Sequence, residues 1–286
     1  MLLVLPNITN IAALNQSYPF FIITQTNQTL NPMRFQPFLL FIALVATLGY
    51  AQAQNNKATF QGKTITLKAA DGVTITADLY MTANKNAPLI VLHHQAGYSR
   101  GAYRPIAPKL NKLGFNCLAL DQRSGNAAQD IKNETKKAAV KMGKSTKYPD
   151  AIPDLEAGLA YAKNTLKAKK IIYWGSSYSA SLMFYMASKY ANDIQAVLAF
   201  SPGEYFEIGG KKIASFASRV KCPIFVTSAK NEQKQWQGIY DAIPAGKKQS
   251  FLPQSRGFHG SKALWYFNEG NQEYWLAVKA FLKSIN

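Results

Sequence analysis

The stretch of this sequence best suited to chemistry is Lys170-Ile-Ile-Tyr-Trp-Gly-Ser-Ser-Tyr-Ser-Ala180. Its apolar run, Ile171 to Trp174, reads as a buried strand that breaks at Gly175. Apolar residues at helical spacing (Tyr178, Leu182, Met183, Tyr185, Met186) begin at once, so no room is left for a loop. A turn this tight would hold Ser177 in a strained, exposed position at the head of a helix, where backbone N–H groups and the helix dipole favour negative charge. The crowded backbone would demand small neighbours, and Gly175 and Ser179 are small. The pattern is that of a nucleophile elbow, G-x-S-x-G, with Ser179 in the last position instead of glycine.

A serine hydroxyl is a weak nucleophile at neutral pH and needs a base. Only three histidines exist. His93 and His94 precede the elbow and end the apolar run Pro88-Leu-Ile-Val-Leu92. His259 comes after it, on the glycine-flanked stretch Gly257-Phe-His259-Gly260. The carboxylates that could orient such a base stand after two later apolar runs: Glu204 in Ser201-Pro-Gly-Glu-Tyr-Phe206, and Glu232 in Ser228-Ala-Lys-Asn-Glu232.

The elements that must position these groups can be read from the pattern. Residues 57 to 80 alternate apolar and polar about Asp71-Gly72, which predicts a hairpin. Continuous apolar runs at 88–92, 115–120, 171–174, 194–200 and 223–228 predict strands buried on both faces. Residues 248–252 form a last, less apolar strand. Helical spacing between them predicts helices over 106–113, 153–166, 178–186, 236–243 and 274–285. Residues 126–150 are polar and irregular and read as an excursion over the sheet edge or a partial lid. A hairpin and then alternating strands and helices imply one α/β domain with a mostly parallel sheet. Ligands of such sheets gather at the carboxyl ends of the strands, so all the candidates above are expected on one rim.

Composition bounds the partners. The chain has 286 residues, 48% of them apolar, and a formal charge of +18. Its lysines are scattered rather than grouped into an arm, which argues against nucleic acid and for a solvated basic surface or attraction to acidic polymers. The first 53 residues carry one charge, Arg34. Residues 1–32 are apolar and Asn/Gln/Thr-rich and do not resemble a folded unit; they read as lying upstream of the true start at Met33. Residues 33–53 read as a secretory signal peptide: Arg34, an apolar run from Pro37 to Leu48, and Ala51-Gln-Ala53 as the cleavage site. The mature protein would then be a single domain over 54–286, periplasmic or secreted, with no stable membrane insertion after cleavage. Cys117 and Cys222 are expected as buried free thiols, and neither has the companions of a metal site.

From about residue 60 to 284 the chain resembles an α/β-hydrolase, most of all the dienelactone-hydrolase-like and small serine esterase branch. The likeness rests on the order of four motifs: His94-Gln-Ala96-Gly97, Asp121-x-Arg123-x-Gly125, Gly175-Ser-Ser177-Tyr-Ser179 and Gly257-Phe-His259-Gly260. It implies an eight-stranded, mostly parallel sheet with helices on both faces and an N-terminal antiparallel hairpin. It implies Ser177 as nucleophile and His259 as base. His94-Gln95 would match the pair that shapes the oxyanion loop, and the oxyanion donors would be the N–H of Tyr178 and of Ala96, or of Gln95 if the register slips by one. Asp121 and Arg123 would be a charge pair holding their loop. The usual position of the acid falls on Asn231, which favours Glu232 next to it, with Glu204 as the alternative. No cofactor and no metal is implied. The expected activity is hydrolysis of carboxylic esters, on small molecules or glycans, through an acyl-enzyme. A peptidase of the same fold and an inactive relative acting as a binding protein are the competing readings.

Overall fold

A computed structural model of the protein describes residues 61–285. The upstream segment, the signal peptide and the start of the mature chain therefore lie outside the described residues. The sheet begins with a hairpin, β1 (Lys63–Lys68) and β2 (Thr74–Tyr80), and continues with β3 (Leu89–His93) and β4 (Asn116–Leu120). After a small hairpin, β5 (Ala127–Ala128) and β6 (Ile131–Lys132), come β7 (Ile171–Ser176), β8 (Ala196–Phe200), β9 (Ile224–Thr227) and β10 (Lys248–Phe251). Eight of these strands form one sheet in the order β1-β2-β4-β3-β7-β8-β9-β10. Pairing is antiparallel between β1, β2 and β4 and parallel throughout the rest.

The continuous apolar strands are apolar because both faces are covered. Side chains alternate sides along a strand, and β3 shows the result. Leu89 and Val91 join one core with Leu155, Met183 and Trp236, while Ile90 and Leu92 join the other with Leu110, Trp275 and Phe281. The first face is packed by α3 (Ile152–Asn164), α4 (Tyr178–Lys189), α5 (Ile213–Ala217) and α6 (Gln233–Ala242); the second by α1 (Ala107–Lys112) and α7 (Asn271–Ser284). Cys117 and Cys222 are buried and free. Burial pushes the Cys117 thiol far up and that of Cys222 up to about 11.

Residues 126–150 are not an irregular excursion. They contain the small hairpin and α2 (Glu134–Lys141), which is docked on β2, where the Thr135 hydroxyl accepts the amide of Thr76 at 2.9 Å. The expected Asp121–Arg123 pair is also corrected. Residues two apart in nearly extended chain need not face a common partner, and these two point to different ones. Arg100 donates to Asp121 at 2.7 Å and to Asp78 at 3.0 Å. Arg123 instead donates to Asp154 at 2.7 Å and Asp71 at 2.6 Å. Asp154, in the first turn of α3, is fully buried. Among the described residues no helix is long and apolar enough to cross a membrane.

Candidate active site

Register aligns the strand ends that carry the candidates. His93 pairs with Gly175, Ser176 with Phe200, and Phe200 with Thr227. The next residues along each strand, His94, Ser177, Ser201 and Ser228, therefore leave the sheet side by side.

Ser177 stands between β7 and α4 with φ 59° and ψ −125°. A positive φ costs a non-glycine residue about 1–3 kcal/mol and persists only where the surroundings fix it. Here they do. The Ser177 amide donates to Phe200 O at 2.7 Å, and the Ser176 amide to the Ser179 hydroxyl at 2.8 Å. A Cβ at position 175 would meet the Ala180 backbone at 2.6 Å, which is why glycine is required there. Ser179 does more than fit. Its hydroxyl lies 2.9 Å from both His93 O and Ser176 O, so it links the elbow to β3, which glycine could not do.

His259 Nδ1 lies 2.6 Å from Glu232 Oε1. The other carboxylate oxygen accepts from the Ser201 hydroxyl at 2.7 Å and from the Ala229 amide at 3.2 Å. Burial raises the Glu232 pKa, but the hydrogen bonds from His259 and Ser201 outweigh it, and the net displacement is downward. An ionised carboxylate only accepts, so Nδ1 carries a proton and donates it to Glu232, which turns Nε2 away from the carboxylate. The loop bearing His259 is fastened to the elbow: Ser261 N donates to Ser176 Oγ at 2.9 Å, and Gly260 N to Ser201 Oγ at 2.8 Å. At Gly260, φ is 68° and a Cβ would collide with the Ser176 hydroxyl and the Gln95 side chain.

Glu204, the alternative acid, is turned elsewhere. Its carboxylate accepts the amides of Ile213 and Ala214 at 2.6 and 2.9 Å and so caps α5. Sequence reasoning missed Ser201, although it touches both Glu232 and the His259 loop from a strained backbone at φ 55°. The only signal for it is its place directly after a buried strand.

His94 fixes the loop after β3. Its Nε2 accepts the Gln122 amide at 2.9 Å, so Nδ1 is the protonated nitrogen and donates to Gln95 O at 2.9 Å. Burial lowers its pKa to about 4 and keeps the ring neutral. Gln95 O also accepts Tyr98 N at 3.2 Å. In a planar trans peptide the C=O and the next N–H point in opposite directions. The Ala96 N–H is thereby aimed away from the His94 ring and left out of the loop's own hydrogen bonds. The Tyr178 amide, at the first position of α4, is likewise a helix-terminal donor without an intrahelical acceptor. His93 is buried, with Nδ1 3.0 Å from Trp174 O, and burial lowers its pKa to about 3. Among the described residues no cluster of His, Cys, Asp or Glu is placed to hold a metal ion.

This combination defines a class: a mostly parallel eight-stranded sheet, a serine elbow after its fifth strand, and a histidine–carboxylate pair after later strands. Residues 88–230 match the sequence model for the alpha/beta hydrolase fold, half of the chain, and the protein belongs to that family. Similar solved structures include the esterase Pf2001 of Pyrococcus furiosus, with TM-score 0.61 and 19% identity over 79% of this chain and 93% of that one. The dienelactone hydrolase of Anabaena variabilis gives TM-score 0.61 at 13% identity, covering 79% and 99%. Est1E of Butyrivibrio proteoclasticus with ferulic acid bound gives 0.59 at 14% identity, covering 77% and 98%. No curated protein matches the sequence.

Proposed function

We propose that the protein is an exported serine hydrolase that cleaves carboxylic esters through an acyl-enzyme. The observation that carries this is the 2.6 Å contact of His259 with Glu232, on a loop tied to the residue preceding the strained Ser177. In the reading we favour, His259 Nε2 takes the Ser177 proton as Oγ attacks the ester carbonyl. Glu232 stabilises the imidazolium that forms. The oxyanion is held by the N–H groups of Tyr178 and Ala96, each such donor contributing about 3 kcal/mol to the transition state. As the tetrahedral intermediate collapses, His259 returns the proton to the departing alkoxide. Water then attacks the acyl-enzyme, giving its proton to His259, and the acid leaves as Ser177 recovers its own. No cofactor enters these steps.

Export is supported by the signal-peptide pattern of residues 33–53 and is tested by the N-terminal residue of the mature protein, expected to be Gln54. The basic charge suggests esters borne on acidic or polymeric carbohydrate, and the scatter of the lysines along the chain speaks against a nucleic-acid partner. For the chemistry, a fluorophosphonate probe should label the protein and fail to label the Ser177→Ala variant. Absence of labelling in the wild type would sink the hydrolase reading and favour a binding protein of the same fold.

A further inference from the structure

The rim around Ser177 also bears on what the ester carries. Four large aromatic side chains are at least a third exposed among the described residues: Tyr148 at 38%, Tyr205 at 37%, Tyr266 at 75% and Phe267 at 53%. Two of them flank the elbow residues, Tyr205 at Ser177 and Tyr148 at Tyr178. Tyr205 lies in the loop after β8. Its hydroxyl donates to Ser201 O at 2.9 Å and sits within reach of the Ser177 side chain. Tyr148, on the segment before α3, stacks on Tyr178, with ring centres 4.6 Å apart and planes 19° from parallel. Tyr148 also meets Phe206 edge-on at 6.0 Å. Tyr178 itself is buried and comes directly after the nucleophile.

We infer that Tyr148, Tyr205 and Phe206 form a subsite for a planar aromatic group, so that the substrates are carboxylic esters bearing an aryl ring. This rests on the serine-hydrolase reading of Ser177. Three features favour a ring over an alkyl chain. The wall is built of rings that already pair face-to-face and edge-to-face, the two geometries in which a further ring gains more than its buried area alone supplies. Its footing on Tyr178 holds Tyr148 in place before any ligand arrives, so little side-chain freedom is lost on binding. And Tyr205 brings one end of the wall to the Ser177 side chain, next to where the ester carbonyl would react. A cationic alcohol could also rest on ring faces, but it would have to approach a chain of formal charge +18.

The test uses matched ester pairs with the full mature protein. Methyl 3-phenylpropanoate is compared with methyl hexanoate, placing the ring on the acyl side, and benzyl acetate with hexyl acetate, placing it on the alcohol side. In at least one pair kcat/KM should favour the aryl ester by about tenfold, the scale of one good aromatic contact. That ratio should collapse toward one in Tyr148→Leu, which keeps apolar bulk without the ring, and fall partway in Phe206→Leu. Equal rates within both pairs, or a ratio that Tyr148→Leu leaves intact, would overturn the proposal while leaving the hydrolase in place. Binding of the same four esters to Ser177→Ala, monitored by ligand-observed NMR, separates the subsite from the chemistry. If no ester is turned over, the aryl esters should still bind this variant in preference to the alkyl ones and lose that preference when Tyr148→Leu is added. Equal binding would overturn the subsite independently of catalysis.

Discussion

Two groups of carboxylates in this molecule are treated in opposite ways. On the β2–β4 side, Asp78 and Asp121 grip Arg100, and Asp71 and Asp154 grip Arg123, with contacts of 2.6–3.0 Å. Asp121 also accepts the Arg100 and Glu134 amides at 2.7 and 2.9 Å, so the start of α2 and the turn after β4 are held together there. On the β8–β9 side a single carboxylate, Glu232, has no arginine or lysine within ion-pairing distance among the described residues. It is held by a hydroxyl, an amide and an imidazole. A carboxylate saturated by a permanent cation has nothing left for a transient one. Glu232 retains that capacity, and in the proposed mechanism it is used when His259 takes the Ser177 proton. Permanent charge fixes the scaffold, and the carboxylate without it stands where the proposed mechanism moves a proton.

Substitutions on the two sides should therefore fail in different ways. The largest effect is expected from Glu232→Gln: kcat falls about 10³- to 10⁴-fold, as when a histidine's orienting carboxylate is neutralised, with little change in melting temperature. A large loss of stability with normal kcat would reverse the comparison. Next, Asp154→Asn leaves Arg123 with one partner in a buried site and should cost about 3 kcal/mol in urea unfolding, while the folded fraction keeps near-normal kcat.

His94→Asn tests the neutral histidine between the two regions. The folded-state pKa is lowered from 6.5 to about 4, so between these values the unfolded chain binds the proton that the folded chain refuses. Stability is full above pH 6.5 and declines as pH falls toward 4, by about 3 kcal/mol. Melting temperatures of wild type and variant, measured at pH 7 and 4.5, should show a shallower fall in the variant. An equal fall would mean that His94 is not held neutral. The smallest effect belongs to Glu204→Ala, which removes the α5 cap for about 1 kcal/mol. It should leave kcat unchanged, and a fall in kcat comparable with that of Glu232→Gln would reopen the choice of acid.

The sheet is legible in the sequence because double burial demands unbroken apolar runs, and Pro88 to Leu92 or Ile194 to Phe200 admit little else. The elbow is legible because even a single side-chain carbon at Gly175 would strike the Ala180 backbone. The loops that leave the strand ends are harder to read. Glu232 and Glu204 both sit a few residues past a buried strand, and only the fold decides that one meets His259 while the other caps α5. Ser201 is a common residue type in an ordinary place, and its role comes from a backbone angle that no side chain announces. Asp121 and Arg123 invite pairing by proximity in sequence, yet their true partners lie 21, 31 and more residues away, where only tertiary contact brings them. The α2 helix hides for the opposite reason: its exposed face is so rich in lysine that the short apolar side facing β2 leaves a weak period.

The two cysteines, free and sealed inside opposite cores, carry a consequence for how the chain can be made. A protein held together by arginine–aspartate clamps and packed aromatics needs no oxidant to mature. Both thiols are protonated and out of reach, so neither glutathione nor a disulfide isomerase has anything to act on. The same polypeptide should therefore reach its native state in a reducing cytosol during production and keep it unchanged in an oxidising compartment.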